Sequence, residues 1–246
     1  MPVSPLSTVL AIDSASEVLA LSLQTPAGHF AVNTGGGAAA SASLLPQVGA
    51  LLARAGLRPA QLQAIAFGRG PGAFTGLRTA CAVAQGLAFG IGCPVLSIDS
   101  LLIVAEDARL QAAVDAGPFD VGVAMDARMD ELYAAAYRWQ QGGWHVLTPP
   151  SLLALPMLAA AWQGLSLQAV AGSAWAAFGG RLTPPAPQVF EREHDRAAAL
   201  GRLAHHAAVN GPHLDAAEAL PLYLRDKVAF TTAEREAAKA AKALAA

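Results

Sequence analysis

The sequence predicts a duplicated α/β unit built on a mixed sheet, because one pattern of strands and turns occurs twice along the chain. An apolar run, Val9–Asp13, ends in a carboxylate and is followed by a short polar turn and a second apolar run. The arrangement returns at residues 121–126, where another apolar run ends in Asp126 before a polar turn. In each half a third strand, a helix and a further strand follow in the same order, which favours two domains of one architecture.

Hydrophobic periodicity and glycine or proline breakers place the individual elements. Strands are predicted at residues 9–13, 18–23, 28–34, 62–67, 121–126, 132–139, 143–147 and 167–171, and helices at 41–55, 75–89 and 152–162. The uncharged stretch 79–98 is interrupted by Gly90, Gly92 and Pro94, so a helix, a turn and a strand are expected there rather than a membrane span.

A boundary between the two halves is expected between Arg109 and Phe119, where the connection contains Gly117–Pro118 as a breaker. We therefore predict an N-terminal domain at residues 1–109 and a C-terminal domain at 110–225. The remaining residues, 226–246, are rich in Ala, Glu and Lys and are predicted to be a helix-prone or disordered tail.

The composition argues against several classes of function. Hydrophobic residues make up 54% of the 246 residues and charged residues only 14%, so part of the apolar surface is expected to meet a partner, unless the surplus only reflects an alanine-rich composition. The formal net charge of −2 argues against a chain that holds a nucleic acid backbone by itself. No basic segment followed by a long apolar run opens the chain, which predicts a cytoplasmic location. The cysteines and histidines lack metal-ligand spacing, so no metal site is predicted.

The glycine-rich stretch Gly68–Arg78 lies between a predicted strand and a predicted helix. Such a turn leaves backbone N–H groups unpaired at a helix N-terminus, which can bind an anion, but the glycines can equally serve only to shape a tight turn. The stretch does not match a P-loop, and Pro71 together with the distant Asp99 disfavours a dinucleotide-binding turn. The residues predicted to contact a nucleotide or anion are Asp13, Ser14, Arg69, Gly70, Gly72, Thr75 and Arg78.

Two carboxylates at predicted strand ends could hold a magnesium-bound phosphate across a cleft. They are Asp13, with Ser14 and Ser16 beside it, and Asp126, with Arg128 beside it. The alternative is that each carboxylate accepts hydrogen bonds from the N–H groups of its own turn. This alternative is favoured for Asp126, and both possibilities stay open for Asp13.

The predicted helices at 41–55 and 75–89 are apolar or small on two faces, which is unusual for a helix covered on one side only. Their second faces would suit an interface with another subunit, or they could be covered by the second domain. The predicted interface residues are Ala42, Gly49, Ala53, Gly76, Thr79, Ala82, Ala84 and Gly86. A large charged residue at Gly76 or Ala84 is expected to abolish the complex and leave the monomer folded.

The segment Gly68–Arg78 resembles the signature of the TsaB family. Ala11–Ala15, Met125–Met129 and Pro221–Arg225 agree with the same family in order and spacing, so the resemblance covers roughly residues 9–225. It implies two tandem ribonuclease-H-like domains of the actin, Hsp70 and sugar-kinase superfamily.

The resemblance also implies a non-catalytic accessory subunit in the formation of N6-threonylcarbamoyladenosine at the tRNA adenosine 3′ of the anticodon. Such a subunit pairs with a catalytic paralogue, TsaD, and recruits an ATPase, TsaE, while tRNA is reached only through the complex. The helices of the N-terminal domain form the heterodimer surface, which also supports a homodimer. The chain would have no cofactor of its own, with ATP or ADP and magnesium as candidates in the complex.

Two departures bear on the mechanism that the resemblance implies. TsaD carries a metal held by histidines after its fifth strand, whereas Ile98–Glu106 here contains no histidine, so catalysis by this chain is not expected. Thr34–Ser43 also lacks the polar, histidine-containing character of the corresponding stretch in relatives. A role that this stretch has in relatives is therefore not expected here. An independent kinase-like enzyme that uses a nucleotide remains one alternative, and a stand-alone homodimeric binding module remains another.

Overall fold

The structure is a computed structural model that describes residues 6–37 and 40–225. The predicted tail at 226–246 lies outside the described residues. Within the described ranges, no helix combines the length and the apolar character that crossing a membrane requires.

A five-stranded mixed sheet forms the first half of the fold. Its strands occur in the order β3-β2-β1-β4-β5, with β1 antiparallel to β2 and parallel to β4. The elements of this half are β1 Val9–Asp13, β2 Val18–Thr25, β3 Gly28–Gly35, α1 Ala40–Arg54, β4 Ala64–Gly70, α2 Phe74–Ile91, β5 Val95–Asp99 and α3 Ser100–Gln111.

The second half repeats this topology in a second five-stranded sheet, whose order is β10-β9-β6-β7-β8. Its first strand, β6, is again antiparallel to the next strand in sequence and parallel to the fourth, β9. The elements are β6 Phe119–Asp126, β7 Glu131–Gln140, β8 Gly143–Ala154, α4 Leu158–Ala161, β9 Ala169–Ala171, α5 Ala174–Phe178, β10 Gln188–Phe190 and α6 Arg196–Asn210. The predicted duplicated α/β fold with two mixed sheets is confirmed.

Both faces of the first sheet are buried, because alternate residues of a strand point to opposite sides. Leu10 and Ile12 of β1 join a core formed with α1 and α2. Val9 and Ala11 join a second core, whose helical side chains include Leu200 of α6 and Ile103 of α3.

The last helix of each half packs on the sheet of the other half. The last helix of the first half, α3, packs on the second sheet, where Leu101 and Val104 meet Val121 and Val123. The last helix of the second half, α6, packs on the first sheet and contacts α3. The two halves therefore pack against each other through these helices, and the domain bounds 1–109 and 110–225 stay a prediction.

One predicted helix, at 152–162, is wrong over most of its length, since only Leu158–Ala161 are α-helical. Strand β8 continues to Ala154, because its backbone pairs with β7 as far as Glu131. Pro156, which would interrupt the interior of a helix, instead opens a single 3-10 turn before the four-residue helix α4. Helix α6 was not among the predicted elements.

Candidate functional site

The β1–β2 turn and the glycine-rich turn before α2 pack directly against each other. The Ala73 amide donates to the Ala15 carbonyl at 2.8 Å, and the Ser14 hydroxyl donates to the Gly76 carbonyl at 2.8 Å. A Cβ at Gly72 would overlap Ala15, and one at Gly76 would overlap the Ser14 carbonyl oxygen. Two of the glycines thus permit close backbone contact, which is the turn-shaping alternative considered from the sequence.

Asp13 ends β1 beneath this contact and is fully buried. Its Oδ1 accepts hydrogen bonds from Arg196 Nε at 2.8 Å and from the Ala15 amide at 3.2 Å. Its Oδ2 accepts a hydrogen bond from the Ser100 hydroxyl at 2.9 Å, and a Cβ at Gly68 would overlap the carboxylate. Both oxygens are therefore engaged within the protein, partly by the amide of the Asp13 turn itself.

Arg196, the first residue of α6, is the cation of this buried site. Its side chain is 3% exposed and also pairs with Glu193. Burial alone would lower the pKa of Arg196, but attraction to Asp13 and Glu193 raises it above its ordinary value. Burial raises the pKa of Glu193, which the nearby guanidinium opposes. The guanidinium stays charged and occupies the position from which a cation would reach Asp13.

The other predicted anion-contacting residues do not converge on one ligand position. Arg69 Nε pairs with Asp99 at 2.5 Å, and the Gly70 amide donates to Ser100 Oγ at 3.1 Å. Thr75 is exposed on the first turn of α2. Arg78 lies over the Phe74 ring, with Arg78 Cζ 3.8 Å from the ring centroid.

A cleft of about 670 Å³ separates the two halves and is lined by side chains from both. Asp126 lies on its second-half wall, where its amide donates to Ser173 Oγ and its carboxylate accepts the Arg128 amide at 2.7 Å. The Asp126 carboxylate thus accepts a hydrogen bond from the N–H of its own turn, which is the alternative favoured from the sequence. The cleft lining also contains apolar side chains from both halves, including Phe74, Leu101, Met125 and Tyr133.

The segment Ala219–Arg225, called the clasp below, joins the halves on one side of the cleft. In the first half, the Leu222 amide donates to the Arg69 carbonyl at 2.6 Å, and the Tyr223 hydroxyl accepts from Arg78 Nε at 3.0 Å. In the second half, Arg225 pairs with Glu131 at 2.7 Å.

Arg225 also supports an unusual turn between β6 and β7. Arg128, Met129 and Asp130 all have left-handed backbone angles, with φ of 65°, 60° and 58°, which L-residues rarely adopt. Arg225 Nη2 donates to the Ala127 carbonyl at 2.8 Å, so the guanidinium binds the turn at its entry and, through Glu131, at its exit. The clasp therefore couples this turn to the first half.

Replacing Arg225 with Met should loosen this turn. We expect a loss of about 1–3 kcal/mol in the free energy of unfolding, typical of hydrogen bonds to charged groups, and faster hydrogen exchange at residues 127–131. Hydrogen exchange with mass spectrometry and urea unfolding would measure both. Arg181→Met is the matched control, since Arg181 forms an exposed pair with Asp130 of the same turn and should leave the free energy of unfolding almost unchanged. Equal effects of the two changes would contradict the role assigned to Arg225.

The predicted interface residues fall into two groups in the structure. Five of them are exposed on α1 and α2, namely Ala42, Gly49, Ala53, Ala82 and Gly86. Thr79 is half-buried, and its hydroxyl oxygen lies 3.1 Å from Ser41 Oγ. Gly76 and Ala84 are buried inside the first half, so their predicted place on the interface is wrong. A bulky charge at either one would damage the core of this half, contrary to the expectation of a folded monomer.

Several residues of the site were not singled out from the sequence. Arg196, Glu193 and Ser100 surround Asp13, and Arg225 holds the β6–β7 turn. Arg225 lies in Pro221–Arg225, one of the segments that resemble the TsaB family, and this resemblance was the signal that could have indicated its role. Arg196 lies 183 positions from Asp13, and no local pattern links the two residues.

Comparisons with known proteins agree with this architecture. Residues 37–178 match the family described as TsaD: tRNA N6-adenosine threonylcarbamoyltransferase. The tRNA threonylcarbamoyladenosine biosynthesis protein TsaB of Haemophilus influenzae is 39% identical over 127 residues, and that of Escherichia coli is 36% identical over 141 residues. These matches cover 51% and 56% of this chain, and the chain spans about half the length of these curated relatives, 52% and 58% respectively.

The solved structure of YeaZ from Pseudomonas aeruginosa matches 89% of this chain and all of its own, with a TM-score of 0.78 and 34% identity. A second Pseudomonas aeruginosa structure, described as similar to peptidase YEAZ, matches over the same shares with a TM-score of 0.80 and 35% identity. The fold thus defines a duplicated α/β protein with two mixed five-stranded sheets of the same topology. Within that class, the chain belongs to the TsaB (YeaZ-like) family.

Proposed function

We propose that this chain is a non-catalytic accessory subunit in the biosynthesis of tRNA threonylcarbamoyladenosine. It pairs with the catalytic subunit TsaD through the exposed face of α1 and α2, and the pair recruits the ATPase TsaE. The complex works in the cytoplasm and contacts tRNA, whereas this chain alone does not. The observation that carries the proposal is a fully engaged Asp13 in a chain whose two outer helices expose small and apolar residues.

Asp13 argues against an independent kinase-like enzyme. Magnesium is bound by carboxylate oxygens together with water and phosphate, so a ligand carboxylate must have an oxygen free to face the metal. Asp13 is buried against Arg196, and a dication next to that guanidinium would be repelled. The residues present do not fit a magnesium-nucleotide site at this position, so any nucleotide of the complex is assigned to another part of it.

The description of one Pseudomonas structure suggests a peptidase, but the side chains of this chain give little support to peptidase activity. Ser22 Oγ lies 2.6 Å from His29 Nε2, which is the spacing of a nucleophile and its base. Ser22 is 1% exposed, and a Cβ at the neighbouring Gly201 of α6 would overlap Ser22 Oγ. A substrate cannot reach this hydroxyl, so the pair serves to pack α6 on the first sheet.

The exposed α2 face supplies the test. Ala82→Glu should weaken binding to the catalytic subunit at least about tenfold, which corresponds to about 1.4 kcal/mol, because a charge would be buried without a partner. Light scattering on the mixed subunits would measure the complex, and tRNA threonylcarbamoylation would be assayed on the same samples. Ala160→Glu, at another exposed alanine on α4, is the matched control and should bind normally. Wild-type binding by Ala82→Glu, or ATP turnover by the isolated chain, would contradict the proposal.

A further inference from the structure

A groove of about 880 Å³ opens in the second half beside the β6–β7 turn. Its size falls within the range of about 300–1,000 Å³ that is typical of binding pockets. Two ion pairs line its rim, Glu131 with Arg225 and Asp130 with Arg181. The other lining residues are apolar, namely Met129, Leu152, Ala154, Leu155, Pro156 and Leu224. The groove can therefore accept apolar side chains between charged edges.

The β6–β7 turn forms one wall of this groove and is strained. Its residues 128–130 have left-handed backbone angles, which persist in residues other than glycine only where surrounding contacts hold them. Arg225 binds the turn at its entry and exit, and its Nη1 lies 3.2 Å from Met129 Sδ. Met129, at the centre of the turn, is nevertheless 44% exposed and lines the groove. A group that packs on Met129 from the groove would help to hold the turn.

The chain itself leaves the described residues at this groove. Leu224 and Arg225 both line it, and Arg225 is the last described residue. The six residues that follow, Asp-Lys-Val-Ala-Phe-Thr at 226–231, can span about 20 Å in an extended conformation. In that conformation alternate residues point to the same side, so Val228 and Phe230 would share one side. Apart from Leu244, they are the only large apolar residues in the sequence 226–246.

We infer that residues 226–231 bind in this groove of their own chain, with Val228 and Phe230 packed against Met129 and the other apolar lining. The segment is attached directly to the wall of the groove, so its effective concentration there is far higher than that of a separate molecule. Burial of two large apolar side chains stabilises the contact.

The charges of the segment agree with the rim of the groove. Asp226 and Lys227 carry opposite charges, and the exposed pair of Arg181 and Asp130 offers each of them a group of the opposite sign. Bound in this way, the segment would extend the clasp over the strained turn. This role goes beyond the proposed function and does not depend on it.

Hydrogen exchange with mass spectrometry on the full chain tests the contact. The amides of 226–231 should exchange at least about tenfold more slowly than in a synthetic peptide of the same sequence, because a packed segment must open before it exchanges. Phe230→Asp should abolish this protection and raise the exchange rate at 127–131 at least about threefold. Leu244→Asp is the matched control, since it places the same charge at the other large apolar residue beyond Arg225, and it should change neither rate.

A cysteine pair tests the location independently. A disulfide requires its two Cα atoms to approach within about 7 Å, so Ala154→Cys combined with Phe230→Cys should form an intramolecular disulfide under mild oxidation. Peptide mapping by mass spectrometry would identify the bond. Ala160→Cys combined with Phe230→Cys is the matched control, because Ala160 is exposed on α4 and does not line the groove. The control should give at least about fivefold less intramolecular disulfide.

Three results would overturn the inference. The first is exchange at 226–231 as fast as in the free peptide. The second is a disulfide between residues 154 and 230 that forms only between two chains, which would make a second copy the occupant of the groove. The third is protection of 226–231 that appears only after the catalytic subunit is added, which would assign the segment to that partner.

Discussion

The variant Arg196→Met should lose about 3–5 kcal/mol in the free energy of unfolding, the largest loss expected from a single side chain at the buried site. Met fills much of the volume of Arg but leaves the Asp13 carboxylate buried without its cation, and it also leaves Glu193 unpaired. Urea unfolding followed by circular dichroism would measure the loss.

A double variant separates charge from packing in this prediction. Adding Asp13→Asn to Arg196→Met removes the uncompensated buried charge, so it should recover part of the lost stability even though two native groups have then been changed. Arg202→Met, an exposed change of the same kind on α6, should alter stability by less than about 0.5 kcal/mol. A loss below about 1 kcal/mol for Arg196→Met would mean that Asp13 is not held by this guanidinium.

Gly76→Ala should be as damaging as Arg196→Met, although it adds only one methyl group. The Cβ would overlap the Ser14 carbonyl oxygen, and neither backbone can move without opening the contact between the two turns. We expect a loss of more than about 3 kcal/mol, or an insoluble product, measured by soluble yield and urea unfolding.

Gly86→Ala in the same helix is the matched control. A Cβ at Gly86 meets no neighbour within 4 Å, so alanine should be neutral or stabilise the chain by up to about 1 kcal/mol through helix propensity. Similar stabilities of the two variants would refute the close approach at Gly76. The comparison also replaces the expectation that Gly76 could be changed to disrupt a partner without harming the monomer.

Local patterns in the sequence were sufficient for much of the architecture. The apolar runs that end in Asp13 and Asp126 predicted the two equivalent strands, and breakers such as Pro94 separated α2 from β5. These features depend on a few neighbouring residues, so they can be recognised in the sequence without information about distant contacts. The helix predicted at 152–162 failed for the same reason, because pairing of β8 with β7 decided the conformation of its first residues.

The sequence by itself determined the duplicated α/β fold, the resemblance to the TsaB family and the two outer helices with small exposed residues. Only the tertiary structure decided that Asp13 is neutralised by Arg196 and that Gly76 serves a backbone contact rather than an interface. It also showed that α6 returns to cover the first sheet. The physical reason is that the partner of a buried charge, and the space left for a Cβ, depend on segments that are distant in sequence and meet only when the two halves pack together.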